Sequence, residues 1–271
     1  MTEIPFLTIA IPTRNRAIYL QKALESAVGQ TYSNIEIIVS NNMSHDNTQR
    51  YLENISDRRV KIFHQESALS MIENWNFCLQ KSSGRYFILL ADDDTLELNA
   101  IESIAAAFKF ANFSGNVAFF SFSFINEANL TIKKFNYKHK ILSKKDILRK
   151  YLFGFFRVMM CSTAYNTDSL RGIDGYSTKF SLASDAFAWL SCVYKYGNAT
   201  LFPENVANYR IHPQMTTRKS LTSLWIKEYI DLFKFCRHEI NFLEKIPTFL
   251  GLCFVICKQL IKWVSSVFKI Y

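Results

Sequence analysis

The sequence predicts an α/β protein, with a mixed, mainly parallel sheet covered by helices on both faces and amphipathic helices after it. Three observations lead there. Short apolar runs alternate with helical periodicities through about residue 125, and such alternation with short loops builds a parallel sheet between helix layers. The apolar run 86–90 stops at three consecutive carboxylates, Asp92, Asp93 and Asp94. The loops that follow the first two strands carry Arg14 with Arg16 and Asn41 with Asn42, so three polar clusters fall at equivalent strand ends. Ligands of open α/β sheets bind outside the carboxyl ends of the strands.

The elements follow in order. Residues 6–11 are an apolar strand ended by Pro12, and Thr13, Arg14, Asn15 and Arg16 form a polar loop. Leu20, Ala23, Leu24, Ala27 and Val28 recur at helical spacing before Gly29. Residues 35–39 make a second strand that enters a loop of turn formers, 40–48. A short helix over 48–55, a strand over 60–64 and a helix over 70–80 lead to the strand 86–90. A helix over 100–110 and a strand over 117–124 complete the alternation. Residues 126–150 are lysine-rich and read as an excursion away from the sheet. The aromatic segment 151–160 reads equally as a core helix or as a binding-site wall. A glycine-punctuated loop, 165–176, precedes Ser184 and Asp185, which open an apolar helix ended by Gly197.

Clustered carboxylates are too costly to bury unpaired. Asp92, Asp93 and Asp94 therefore call for a cation, and a divalent metal carrying a phosphate ligand is the favoured neutraliser over a solvated acidic turn. Asp185 reads as a helix cap, as a catalytic carboxylate, or as both. Arg210, two residues before His212 and Pro213, adds a phosphate-competent cation.

Composition narrows the classes. The 271-residue chain carries 32 Lys and Arg against 23 Asp and Glu, a net +9, which suits phosphorylated substrates, anionic lipid or nucleic acid. No RNA-binding signature, zinc-finger spacing or long basic tract is present, so no nucleic-acid partner is expected. Neither G-x-G-x-x-G after the first strand nor G-x-x-x-x-G-K-[ST] occurs, which argues against a dinucleotide fingerprint and a Walker NTPase. The six Cys form no C-x-x-C pair and read as buried reduced thiols. No signal peptide is expected from Met-Thr-Glu-Ile-Pro, and no apolar run reaches the about 18–20 residues of a spanning helix. The tail changes character. Leu224, Ile230, Phe233, Ile240 and Leu243 recur at helical spacing. A second helix over 250–271 sets Lys258, Lys262 and Lys269 against Leu260, Val264, Val267 and Phe268, the pattern of an interfacial membrane helix or of one packed on protein.

These pieces together resemble glycosyltransferase family 2, inverting nucleotide-sugar transferases of the GT-A fold, and bacterial surface-polysaccharide members in particular. The resemblance is carried by Leu7-Thr-Ile-Ala-Ile-Pro-Thr-Arg-Asn-Arg16, by the segment from Gln30 to Asp46, by Gly84-Arg-Tyr through Asp94, by Gly172-Ile-Asp-Gly-Tyr176 and by Tyr209-Arg-Ile-His212. It implies a catalytic domain over 1–215, with a nucleotide half to about 125 and an acceptor half over 126–215, then an extension over 216–271. It implies that Pro12, Thr13, Arg14, Asn41, Asn42 and Asp92 meet the nucleotide, and that Asp93, Asp94 and His212 serve Mg²⁺ or Mn²⁺. Asp185 falls at the catalytic base, and Arg210 and Gly175 fall at acceptor or phosphate contacts. The family commonly has an aspartate where Asn41 and Asn42 stand, so the base contact here is uncharged. The partners implied are a nucleotide-sugar donor, probed first as a UDP-sugar, and a glycan or lipid-linked acceptor. The enzyme would sit in the cytoplasm, peripheral on the inner face of the membrane through 249–271. A sugar-phosphate nucleotidyltransferase and a non-catalytic membrane-surface module are the alternatives. The first lacks its glycine- and Lys/Arg-rich signature, and the second leaves the acidic triplet without a purpose.

Overall fold

Strands buried on both faces need continuous apolar runs, and two such runs start the chain. In β1 (Leu7–Thr13) and β2 (Ile35–Asn41) all seven residues are buried. The computed structural model describes residues 5–110, 116–152, 156–215 and 222–236. Thr8, inside β1, satisfies its hydroxyl by donating to Glu36 Oε1 at 2.6 Å. Between these strands α1 (Ala17–Val28) buries Leu20, Ala23, Leu24 and Ala27, a single helical stripe. Then come α2 (Thr48–Leu52), β3 (Val60–His64) and α3 (Met71–Lys81). Ser70 caps α3 in a reciprocal capping box with Glu73.

The strand β4 (Tyr86–Leu89) enters beside β1 through Gly84. A Cβ at that glycine would lie 2.5 Å from the Thr8 backbone nitrogen, so only glycine lets the two strands meet there. Next are β5 (Thr95–Leu96), α4 (Ala100–Phe110), β6 (Val117–Ile125), β7 (Thr131–Phe135), β8 (Lys140–Leu142) and α5 (Lys144–Leu152). A 3₁₀ turn at Met160–Ser162 leads into β9 (Thr163–Asn166), α6 (Thr167–Arg171), α7 (Ser184–Tyr196), β10 (Ala199–Arg210) and α8 (Thr222–Cys236).

The strands form one sheet in the order β3-β2-β1-β4-β9-β6-β10-β5, with β7 on β6 and β8 on β10. Its longest ladders, β1 with β2 and β6 with β10, are parallel, while β9 runs antiparallel to both β4 and β6. Helices cover both faces. Ile9, Ile11 and Leu24 share one apolar cluster, and Ala10, Ile72, Trp189 and Leu232 share the other.

Two sequence expectations are corrected. Residues 126–150 do not leave the sheet, because β7 and β8 extend it antiparallel along β6 and β10. The lysines of β7 are exposed at this edge, which is why the segment is polar. In the tail, the buried stripe of α8 is Glu228, Leu232 and Cys236, whereas Leu224, Ile230 and Phe233 are half-buried. The helix expected over 250–271 lies outside the described residues. Cys78, Cys161, Cys192 and Cys236 are buried free thiols, as expected.

Candidate active site at the carboxyl ends of β1 and β4

The chain lays β2 and β3 on one side of β1 and β4 on the other, so strand order reverses at β1. A crevice opens at such a switch point, beyond the carboxyl ends of the strands that flank it. The loop after β1 and the acidic loop after β4 meet there. Thr13 Oγ1 donates to Asp92 Oδ2 at 2.8 Å. Arg16 Nη1 donates to Asp92 Oδ1 at 3.0 Å and to Asp93 Oδ2 at 2.6 Å. The cation that the triplet demands is therefore present as Arg16. Sequence reading placed this arginine in the loop and gave it no partner; the charge imbalance of the triplet was the signal for it.

The acids titrate unusually. Burial, and then the neighbouring Asp93, push Asp92 up to about 6, against the pull of Arg16 and Thr13. Asp94 is raised well above the ordinary carboxylate range, first by burial and then by Asp93. Its Oδ1 accepts from the Arg210 backbone nitrogen at 2.8 Å. The Arg210 guanidinium is buried behind the triplet. Its Nε donates to the Asp93 carbonyl oxygen at 2.8 Å, and its Nη1 donates to Asn126 O and Asn129 Oδ1 at 3.0 and 2.6 Å. Arg210 thus braces the acidic loop against the β6–β7 turn. His212 Nε2 lies 3.0 Å from Asp93 Oδ2, and its buried Nδ1 has no hydrogen-bond partner.

The loops after β1 and β2 are stitched together. Asn15 sits at a positive φ of 55°. From there its backbone N–H donates to Ser44 Oγ at 2.8 Å and its Oδ1 accepts from His45 N at 2.7 Å. Asp46 accepts from Ala17 N at the start of α1 and from Thr48 N at the start of α2, each at 3.0 Å. Asn42 binds the Leu69 backbone with both ends of its amide, 2.8 Å each. Asn41 Nδ2 lies 3.1 Å from His64 Nδ1, and its Oδ1 accepts from Ser44 N at 3.2 Å.

A cavity of about 540 Å³ joins these loops to α5, the 158–160 segment, α7 and α8, within the ordinary size of a small-molecule site. Of the residues singled out from sequence, Pro12, Thr13, Arg14, Asn42, Asp92, Asp93, Asp94 and Asp185 line it. Asn41, Gly175, Arg210 and His212 do not appear in its wall. Asn41 is held within its own loop, and Arg210 and His212 stand behind the acids. Gly175, at a φ of +70°, instead lets Tyr176 exchange two hydrogen bonds with the Asn76 side chain on α3, at 2.8 and 2.7 Å. The opposite wall is apolar and includes Trp75, Met159, Met160, Trp189 and Trp225. Of the aromatic segment's described residues, Tyr151, Val158, Met159 and Met160 line the cavity, while Phe156 is buried in the core.

Asp185 stands in that apolar wall, in the first turn of α7. Its Oδ1 accepts from Ala186 N at 2.7 Å. Burial raises it to about 6. The helix N-cap is Ala183, which has no side-chain oxygen to cap with. Glu228 of α8 takes that place: its carboxylate accepts from Ser181 N, Leu182 N and Ala183 N at 2.7, 2.9 and 2.9 Å. Sequence reading missed Glu228, whose signal was an acid in line with Leu232 and Cys236 on a helical stripe.

Among the described residues no three His, Cys, Asp or Glu side chains form a metal-holding group. A hard divalent cation keeps several waters, takes one or two protein ligands and draws others from a substrate's phosphates. Asp93, which lines the cavity, would be the carboxylate placed to take one, and its Oδ2 is at present held by Arg16 at 2.6 Å and lies 3.0 Å from His212 Nε2.

The glycosyl transferase family 2 profile matches residues 8–172, from β1 through α6. The GalNAc(5)-diNAcBac-PP-undecaprenol beta-1,3-glucosyltransferase of Campylobacter jejuni is 33% identical over 173 residues, 60% of this chain and 54% of that protein. The UDP-Glc:alpha-D-GlcNAc-diphosphoundecaprenol beta-1,3-glucosyltransferase WfgD of Escherichia coli is 28% identical over 188 residues, 68% of each chain. An uncharacterized glycosyltransferase of Haemophilus influenzae is 36% identical over 106 residues, 38% of this chain and 33% of that protein, so the chain spans about half or less of the length of this relative and of the Campylobacter one. Among solved structures, the mannosyltransferase PcManGT of Pyrobaculum calidifontis, in complex with GDP-Man and Mn²⁺, superposes with a TM-score of 0.64 at 15% identity, over 98% of this chain and 76% of that one. That likeness gives the fold, GT-A, and the profile spans more than half of the chain. The chain belongs to glycosyl transferase family 2.

Proposed function

We propose that the chain transfers a hexose from a UDP-sugar to a hydroxyl of a lipid-linked glycan acceptor, with inversion at the anomeric carbon. The observation that carries this reading is a single cavity with two unlike carboxylate sites. At one end the Asp92–Asp94 loop sits at the strand switch point; at the other, Asp185 stands alone in an apolar wall. Two separated sites suit direct displacement, with the leaving diphosphate at the first and the attacking hydroxyl at the second. The acceptor O–H gives its proton to Asp185 as the new C–O bond forms. The anomeric C–O bond to the diphosphate breaks with its electron pair leaving on the phosphate oxygen. Asp185, raised to about 6, is ionised at neutral pH and is a stronger base than an ordinary aspartate.

Asp93, with His212 beside it, would hold Mg²⁺ or Mn²⁺, which supplies positive charge to the leaving diphosphate. Arg16 and the exposed Arg14 are the cations at the diphosphate end of the cavity. Thr13 and Asn42 form the nucleotide side. The uridine donor is supported by the name of the Escherichia coli glucosyltransferase, and the lipid-linked acceptor by the names of both bacterial glucosyltransferases. The net charge of +9 supports action at the cytoplasmic face of an anionic membrane, as a peripheral protein. Among the described residues no helix is long and apolar enough to cross a membrane.

The test is UDP release from a panel of UDP-sugars with a prenyl-diphosphate-linked N-acetylhexosamine, with and without Mn²⁺, and the anomeric configuration of the product by NMR. A β-product from an α-linked donor is expected. A retained configuration, or release of pyrophosphate from an NTP and a sugar phosphate, would remove the reading.

A further inference from the structure

An aspartate placed to take a proton is useful only if the backbone that carries it is fixed. The segment 181–183 enters α7 without a cap of its own, because Ala183 offers no side-chain acceptor. Three consecutive backbone N–H groups there would go unsatisfied or wet. All three instead donate to one carboxylate, that of Glu228, which is 3% exposed and arrives from α8, more than forty residues later in the chain. The geometry is that of an anion held by successive amides at the positive end of a 13-residue helix. The same helix sets Trp225 in the cavity wall, three residues before Glu228 and so on the same side of α8. Ser181 and Leu182 also line the cavity.

We infer that Glu228 is a positioning residue for Asp185, and that α8 is thereby a working part of the acceptor site rather than an appendage to it. The inference rests on the reading of Asp185 as the base. Glu228 acts through the 181–183 backbone, fixing where α7 begins and hence where the Asp185 carboxylate stands, while Trp225 lines the same cavity.

A second consequence is electrostatic. The groups facing Asp185 are Tyr151 from α5, Tyr165 from β9, Tyr176 from the loop after α6, and Glu228 from α8. Burial raises the three tyrosine hydroxyls well above their ordinary range, so they stay neutral. Glu228 is the carboxylate of the set, and after burial it adds to the rise of Asp185.

The experiment uses the full chain and two variants, Glu228→Gln and Glu228→Asp, with folding followed by circular dichroism and melting temperature. Glu228→Gln keeps the shape and loses one acceptor atom and the charge. UDP binding with Mn²⁺, measured by calorimetry, should stay within about twofold of the parent, because the donor loops are untouched. The turnover number should fall about tenfold or more. The acid limb of kcat should move to lower pH, since Asp185 has lost a negative neighbour. Glu228→Asp keeps the charge and shortens the reach, so its limb should stay in place while its rate falls. A Glu228→Gln enzyme that folds and matches the parent in both rate and limb overturns the inference. Should Glu228→Gln not fold, a parental rate in Glu228→Asp overturns it. Asp185→Asn is run in parallel. Turnover that survives Asp185→Asn removes the base reading itself, whereas a dead Asp185→Asn beside an unaltered Glu228→Gln removes only the role of Glu228.

Discussion

The two ends of the cavity are built in opposite ways. At the proposed diphosphate end every acid is tied down: Asp92 by Thr13 and Arg16, Asp93 by Arg16 and His212, Asp94 by the Arg210 backbone. At the proposed acceptor end Asp185 accepts one hydrogen bond, from its neighbour Ala186, and looks across an apolar wall. The first end holds negative charge in place for a ligand that brings its own charge. The second leaves a carboxylate under-solvated, which is how a site makes an ordinary acid into a better base. The ends also differ in how far apart their parts lie along the chain. The acids and their immediate cation come from two strand-end loops, whereas the rest of the cavity wall collects residues from α5, the 158–160 segment, α7 and α8. The family match, 8–172, contains Thr13, Arg16 and the three acids but stops short of Asp185, Arg210 and His212.

That contrast makes measurable demands. The largest effect is expected from Asp185→Asn, which should lower kcat by about 10²–10⁴-fold while UDP binding with Mn²⁺ is retained. Asp93→Ala should lower turnover comparably, but through lost metal-dependent UDP binding, seen by calorimetry. Equal loss of UDP affinity in both variants would erase the division between the two ends. Next comes pH. With donor saturating, kcat should rise about tenfold per unit below the acid limb and level off above about pH 6, where Asp185 is ionised; a flat profile from pH 5 to 8 would place the base elsewhere. Smaller is the effect of Gly175→Ala, whose Cβ would lie 2.6 Å from Asn76 Oδ1 at a φ of +70°. It should cost about 1–3 kcal/mol in denaturant unfolding and leave UDP affinity unchanged.

The smallest expected effect is on stability, and it has the opposite sign to the loss of activity. The folded state raises Asp185 from its ordinary value to about 6. The stability associated with its proton is therefore complete below the unfolded value and is lost as pH rises through about 6. At pH 7.5 the ionised group is a burden, so Asp185→Asn should stabilise the protein by about 1–2 kcal/mol after allowance for its partial exposure. The gain should shrink as pH falls from 6 to 4. A variant equally stable at both pH values would show that Asp185 is not held in its charged form against a cost.

Much of the donor end was legible in the chain. An apolar run that ends in Asp92, Asp93 and Asp94 is a buried strand meeting a polar edge, because three adjacent acids cannot be buried unpaired. Their demand for a cation was legible too, but its identity was not, since Arg14 and Arg16 stand two residues apart and only one reaches the acids. Asn41 and Asn42 were legible as a strand-end pair. That one faces the cavity and the other His64 follows from the alternation of successive side chains at a strand end. The lysines of β7 misled, because an exposed sheet edge and a loop leaving the sheet have the same polar composition.

Local patterns in the sequence settle what depends on near neighbours: the alternation of strands and helices, the buried β1, β2 and β4, the acidic strand end, and the candidacy of Asp185 at the start of α7. Tertiary structure alone decided which side chains meet across long separations. It put Arg16 on Asp92 and Asp93, Arg210 behind the acidic loop, and Glu228 beneath the backbone that carries Asp185. The physical reason is that periodicity and charge reveal which face of an element must be buried or wet, while a hydrogen bond between residues far apart in sequence is fixed only when the packed sheet and helices set the distance.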